Sequence, residues 1–406
     1  MHVIFVEPRF PVNQRRFVEV LKRAGAAVSG VGESPLEALD PELSSWLVSY
    51  EQVGSVCHEP SLLEAVRTIQ ARGWVDRLET TVEAHILPVA KVREACGIPG
   101  TSVRTAFLCR DKPAMKDALR DAGVPTAQSI GSGDADEIAA FAERVGFPLI
   151  VKPRGAAGAA GTYRVDDLAG LAPILEECGV GKGADVAVEE FVEGHEGFYD
   201  TLCVGGNVVH EFISHYYPNV LHAMRNRWIS PQIVITNRVD ADAYNEVKAL
   251  GKKVIETLGI ETSATHMEWF YGPKGLKFSE IGCRPPGVSV WDLYSAANDF
   301  DVYQEWANTI VHGEARQKRS LRYSTGMLNM RPDKDGQIIG YEGLDEVRRR
   351  FGDHIIDEHI PPVGSPTAPI EGGYKVNAWM RLQHTDYDEL RRIMTAIGEM
   401  VQVRAG

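Results

Sequence analysis

Residues 264–287 read ATHMEWFYGPKGLKFSEIGCRPPG. Two alternating segments flank Gly272–Gly275, a pattern that predicts a β-hairpin turning at those glycines. Glu268 falls on the first strand and Glu280 on the second. Two carboxylates on adjacent antiparallel strands can face one cavity. There they can hold Mg²⁺, which prefers hard oxygen ligands and keeps water and phosphate in its shell. Arg284 stands four residues after Glu280, suited to stabilise charge on a transferring phosphoryl group or an oxyanion.

Upstream of the hairpin, three more elements point to the same chemistry. PLIVKP (148–153) reads as a strong strand, and its Lys152 runs into a Gly/Ala-rich stretch that includes Gly155, Gly158 and Gly161. Such a stretch lets backbone N–H groups approach phosphates with no Cβ in the way. Lys112 sits at the start of a helix predicted over Asp111–Asp121, with Asp111 as cap and Gly123 and Pro125 as its close. Two such lysines neutralise phosphate oxygens as point charges. VAVEEFV (186–192) is an acidic-apolar strand followed by Gly194 and Glu196. Each element alone is common in purely structural settings. Their fixed order along one chain is what points to nucleoside triphosphate chemistry.

On these motifs the chain resembles the ATP-grasp superfamily, and the resemblance covers nearly all of it. It implies a multidomain α/β and α+β protein with the ATP-grasp fold: an N-terminal doubly wound α/β domain, a central lid and a C-terminal catalytic domain. The expected boundaries are 1–105 for the N-terminal domain and 106–190 for the lid region with the first lysine helix. The metal domain is expected over 191–320, and a β-rich subdomain completing it over 321–406. The resemblance implies that Lys112 and Lys152 bind ATP phosphates. It implies that Glu189, Glu190, Phe191 and Val192 present backbone groups to adenine, that Glu196 holds the ribose and that Phe270 packs near the base. Glu268 and Glu280 match the family's acids for Mg²⁺ (or Mn²⁺), and Arg284 its arginine. The lid, about residues 125–190, is expected to close over the site, with 155–161 as a moving part.

Two departures sharpen the reading. The family often has E-x-N-x-R, with the Asn a further metal ligand. Here the run is Glu280-Ile281-Gly282-Cys283-Arg284, so glycine stands at that position. Cys283 reads as a small buried hydrophobe. Biotin-dependent carboxylases have Q-V-E after the arginine, whereas this chain has Pro286-Gly287-Val288 and no M-K-M. The R-P-P-G pattern resembles carboxylate–amine ligases, including amino-acid (dipeptide) ligases. The implied reaction activates a carboxylate as an acyl-phosphate and joins it to an amine, with amino acids as substrates. The alternatives are a carboxylase or nucleotide-pathway enzyme acting on bicarbonate or formate, and a non-catalytic nucleotide-binding protein. The segment His215–Arg238 is long, aromatic and basic. Its Arg225, Arg227 and Trp228, with Arg284, are the candidate grips on a substrate.

Composition fits this picture. At about 150 residues per domain, 406 residues suggest two to three domains. The apolar share of 44% and charged share of 24% are ordinary for globular chains. The longest apolar runs fall far short of the roughly 20 residues that span a bilayer. MHVIFVEPRF lacks the basic-then-apolar order of a secretory leader. A formal charge of −13 opposes nucleic-acid binding. Six cysteines without a C-x-x-C pair fit a reducing compartment, so a cytoplasmic location is expected. A homodimer through the N-terminal domain is compatible with the resemblance. HVIFVE (2–7) and Ala27–Gly32 alternate with a helix, which predicts a parallel sheet, and no G-x-G-x-x-G follows the first strand. His266 and Glu268 form an H-x-E, read as an ordinary packed or hydrogen-bonded histidine.

Overall fold

The computed structural model describes residues 1–154, 161–369 and 377–406. The first strand, His2–Val6, is buried on both faces. Successive side chains of a strand point to opposite faces. Val3 and Phe5 accordingly pack with Phe17 and Trp306 in one core, while Ile4 and Val6 pack with Leu62 and Val66 in another. The strands Leu47–Gln52, Ala27–Gly32, His2–Val6 and Arg77–Glu79 form a parallel sheet in that spatial order. The helices Gln14–Arg23, Pro41–Trp46 and Glu59–Gln70 lie in the connections between these strands, and Ile86–Ala95 follows the last of them.

A second sheet is small and antiparallel. Its order is Ser129–Ser132, Val186–Glu190, Leu149–Pro153, Tyr163–Val165. The helices Ala135–Val145 and Leu168–Glu177 supply Ile138, Phe141 and Leu171 to its separate core. Lys152 lies on one of its strands and Glu189 on the next, where Ile150 pairs with Glu189 and Lys152 with Ala187.

The third sheet has eight antiparallel strands. The hairpin of Ser263–Gly272 and Gly275–Gly282 forms one edge. The strands His195–Val204, Asn207–Tyr217, Gln232–Ile235, Ser324–Met330, Ala378–His384 and Ile355–His359 follow across the sheet. The turn between His195–Val204 and Asn207–Tyr217 has Gly205 and Gly206 at φ 54 and 79. Both values are positive, which a two-residue hairpin of this hand requires. In the catalytic-looking hairpin, Gly272 pairs with Gly275 and Glu268 with Glu280, with a register shift between Glu268 and Trp269.

Two stretches depart from the sequence reading. A single helix over about Trp291–His312 is expected, and the structure has Val290–Asn298 and Val302–His312. Asp299 takes a left-handed conformation at φ 57, and the Asp301 side chain accepts from the N–H groups of Tyr303 and Gln304, starting a new helix. The stretch 215–238 is not one long loop. It contains the end of a strand at Tyr217, a short helix Val220–Arg225 and the strand Gln232–Ile235.

Candidate functional site

The small sheet and the hairpin edge of the large sheet enclose a cavity of about 490 Å³. Of the residues expected to act, Lys112, Lys152, Glu189–Val192, Glu196, Glu268, Phe270, Glu280 and Arg284 all line it. The helix Lys112–Asp121 begins at the Asp111 cap, whose side chain accepts from the Ala114 N–H. This start aims Lys112 Nζ at Glu280 Oε2, 3.3 Å away.

One helical turn later stands Lys116, which the sequence reading did not single out. Its Nζ lies 2.5 Å from Glu189 Oε1, while Lys152 Nζ lies 3.0 Å from Oε2 of the same carboxylate. All three side chains are nearly out of solvent. Burial alone would raise the carboxyl of Glu189, but the two ammonium groups hold it at about 2. One carboxylate cannot fully compensate two cations. Burial, aided by the charge of Lys152, therefore draws Lys116 down to about 8. The i, i+4 spacing of Lys112 and Lys116 on one helix face was the available signal.

The hairpin carries the opposite charge. Glu268 and Glu280 are direct cross-strand partners and both line the cavity. Glu268 lies 3.5 Å from the Tyr216 hydroxyl and 3.7 Å from His266 Nε2. These carboxylates are hard oxygen donors facing a cationic wall, so they fit Mg²⁺ or Mn²⁺ that completes its shell with phosphate and water. Among the described residues, no cluster of three or more His, Cys, Asp or Glu is gathered as a protein-only metal cage.

His266 is a hydrogen-bonded histidine. It lines the cavity, and its Nδ1 lies 2.8 Å from the buried carboxylate of Asp200. The other oxygen of Asp200 accepts from the Tyr294 hydroxyl at 2.6 Å. Burial alone would lower His266, but Asp200 and then Glu268 reverse this and raise it to about 10. The signal was the period of two, which puts His266 and Glu268 on one strand face.

At the other end of the cavity, Phe191 is covered by the Arg164 guanidinium at 4.5 Å, and its N–H donates to Pro148 O. Glu190 lies 3.6 Å from Lys274. Glu196 is buried, and its carboxylate accepts the Val220 N–H at 2.7 Å. Burial and the nearby charge of Glu268 push its carboxyl up to about 8. Val220, Leu221, His222 and Met224 of the short helix form one wall.

The basic segment after this helix behaves otherwise than expected. Trp228 is 83% exposed, and Arg227 pairs with Asp335 at 2.7 Å, so neither reaches the cavity. Arg225 ends the short helix, and its side chain lies outside the described part. Gly155 and Gly158 also lie outside the described residues, whereas Gly161 is described, at φ 66. Cys283 is buried in a hydrophobic core with Cys109, in keeping with a small hydrophobe.

Lys152 on the small sheet and two lysines of the preceding helix thus face a carboxylate pair on the hairpin. The family model for the ATP-grasp domain matches residues 117–298. The chain carries an ATP-grasp domain. It is 27% identical over 288 residues to an L-arginine-specific L-amino acid ligase of Bacillus subtilis, covering 69% of this chain and 68% of that protein. It is 27% identical over 235 residues to an alanine–anticapsin ligase of Bacillus subtilis (strain 168), covering 52% of this chain and 48% of the relative. The chain thus spans about half the length of the latter. The structure of an L-amino acid ligase from Bacillus licheniformis superposes with a TM-score of 0.76 at 18% identity, covering 100% of this chain and 98% of that one. That likeness shows the ATP-grasp fold.

Proposed function

We propose that the chain is an ATP-dependent ligase that activates the carboxylate of one small molecule and joins it to the amine of another, with amino acids as the substrate class. The observation that carries this is the facing arrangement of Lys112, Lys116 and Lys152 against Glu268 and Glu280, with Arg284 lining the same cavity. It is suited to a polyphosphate between two walls of opposite charge. The relatives named as amino-acid ligases support the substrate class.

In this reading, Lys112 and Lys152 hold the phosphates, and Glu189 keeps Lys152 in place. Phe191, Val192 and Phe270 border the adenine, and Glu196 takes the ribose hydroxyls. Glu268 and Glu280 would hold Mg²⁺, whose chemistry when bound is to neutralise phosphate oxygen charge. A substrate carboxylate oxygen attacks the γ-phosphorus in line, the bond to the bridging oxygen breaks, and ADP leaves. The amine nitrogen then attacks the acyl carbon. Arg284 stabilises the tetrahedral oxyanion, and phosphate departs as the amide forms. Thr162, Arg164 and the neighbouring small sheet shield the acyl-phosphate from water.

The test incubates the protein with Mg²⁺-ATP and panels of amino acids, and measures phosphate release and product mass. Release that requires both a carboxylate and an amine, with a product of condensed mass, is the expected result. Bicarbonate-dependent release without an amine would overturn the proposal. Glu280→Gln is expected to abolish release with the melting curve intact.

A further inference from the structure

Gly282 occupies the position where the resemblance leads one to expect an asparagine. Its backbone does not explain the glycine, because its φ lies outside the left-handed region. Space does. A Cβ built there would lie 3.2 Å from Glu83 Oε2 and 3.4 Å from Arg284 Cγ. The 3.2 Å approach is tighter than most real Cβ contacts, so Glu83 would have to shift, and an asparagine would add three more heavy atoms beyond that Cβ.

Glu83 comes from another part of the chain. It opens the single turn Glu83–His85 between the strand Arg77–Glu79 of the parallel sheet and the helix Ile86–Ala95. Its Oε2 accepts from Arg284 Nε, and its Oε1 accepts from Arg110 Nη1 at 3.0 Å. Arg284 Nη1 donates to Pro285 O at 2.7 Å. Among the described residues Nη2 has no hydrogen-bond partner, and Arg284 borders the cavity. Arg110 directly precedes Asp111, the cap of the helix that presents Lys112 and Lys116. One carboxylate therefore ties the cavity-lining arginine to the root of the lysine helix. All three side chains are mostly shielded from solvent. A charge-assisted pair in such a place is short and directional.

We propose that Glu83 is the positioning residue for Arg284, that it reaches the arginine only because residue 282 is glycine, and that the parallel-sheet unit in this way sets the geometry of the transfer step. Glu83 does not line the cavity and touches no substrate. It acts by fixing Nε and Nη1, so that Nη2 faces the reacting group in one orientation. The inference rests on the role given to Arg284 above. Misplacing such a group by an ångström costs on the order of 100-fold in rate.

The experiment measures amino-acid-dependent ADP formation for Arg284→Ala, Glu83→Ala, Glu83→Gln, Gly282→Ala, Gly282→Asn and the double variant Glu83→Ala/Gly282→Asn. Binding of a non-hydrolysable ATP analogue and melting temperature are followed in parallel. Glu83→Ala is expected to lower kcat about 100-fold while the KM for ATP stays within about twofold. Glu83→Gln keeps the shape without the charge and should fall between it and the parent. Gly282→Asn should lose as much as Glu83→Ala, and Gly282→Ala far less. The double variant should be no worse than the worse single variant, because both changes break one contact. Multiplied losses in the double variant would overturn the proposal, as would Glu83→Ala at near-parental kcat beside an inactive Arg284→Ala. An unaffected Arg284→Ala would instead sink the role assigned to the arginine. If Glu83→Ala fails to bind the analogue, Glu83→Gln decides: parental kcat in that variant overturns the proposal, and a kcat loss with binding intact upholds it.

Discussion

Two shielded histidines on strands separated by one other strand have opposite protonation behaviour. His266 and His215 lie on the strands that flank His195–Val204 on either side. His266 faces Asp200 and Glu268 and is raised to about 10. His215 is held down to about 3, first by burial, then by the charges of His195 and Arg391. Its Nδ1 lies 2.9 Å from His195 Nε2, and its Nε2 lies 2.8 Å from the Tyr244 hydroxyl. Similar burial thus yields a cation on the cavity side and a neutral ring away from it. The partner decides, because an unpaired buried charge costs far more than a hydrogen-bonded neutral ring.

The sharpest break of this contrast is to remove the partner. Asp200→Asn should abolish most activity, because His266 loses both its charge and its aim beside Glu268. It should also cost about 3–5 kcal/mol in urea unfolding near neutral pH, the range for breaking a buried pair. The pH sense follows from the raised folded-state value. The stabilisation is complete below about 6.5, the ordinary histidine value, and is lost as pH rises through about 10. The gap between parent and variant should therefore narrow in alkaline solution. An unchanging gap from pH 6 to 10 would contradict the charged state of His266.

Glu189→Gln comes next. It leaves Lys116 and Lys152 facing each other without a carboxylate, and about 3 kcal/mol of stability should go with it. Nucleotide added to the variant should recover part of this loss, since its phosphates replace the missing anion, and calorimetric melting with and without ATP would show it. A separate buried carboxylate, Glu305, has a third histidine, His210, as its partner. The two meet at 3.0 Å. Burial alone would raise the carboxyl of Glu305, but His210, the backbone N–H groups of Gln317 and Arg316, and Asn308 hold it at about 2. A depressed carboxyl stabilises the fold above about 4.5, and this contribution disappears as pH falls through about 2. Glu305→Gln should therefore cost about 2 kcal/mol at pH 7 and much less at pH 2.5, as read by denaturant midpoints.

His215→Gln should cost only about 1 kcal/mol near pH 8, and this cost should shrink or reverse as pH falls below about 6.5, because the unfolded histidine takes up a proton that the buried ring does not. Trp228→Ala should change stability by less than about 0.5 kcal/mol and leave turnover unaltered, since the ring is exposed and away from the cavity. A large kinetic effect there would reinstate the basic segment as a substrate grip.

The residues that meet in the cavity were largely legible in order along the chain. Lys112, Lys152, Glu196, Glu268, Glu280 and Arg284 each sit at a local feature: a helix start, a strand end or a hairpin. Lys116 and His266 were harder to see, because a lysine in a helix and a histidine beside a glutamate are common on surfaces and in cores. Arg225, Arg227 and Trp228 attracted notice for composition alone, and composition does not say which way a side chain points. Asp335, far along the chain, is what holds Arg227.

Periodicity and turn chemistry determined the strands and the hairpin with its paired acids, because these depend on contacts within a few residues, while the ATP-grasp fold was implied by the resemblance of the ordered motifs. The tertiary structure decided which charges share a partner. Glu189 serves lysines 73 and 37 positions before it, by the differences 189−116 and 189−152, and Glu83 reaches Arg284 across 201 positions. Coulomb interactions and excluded volume act through space and leave no local periodic trace. For that reason the meaning of Gly282 could be read only once Glu83 was seen beside it.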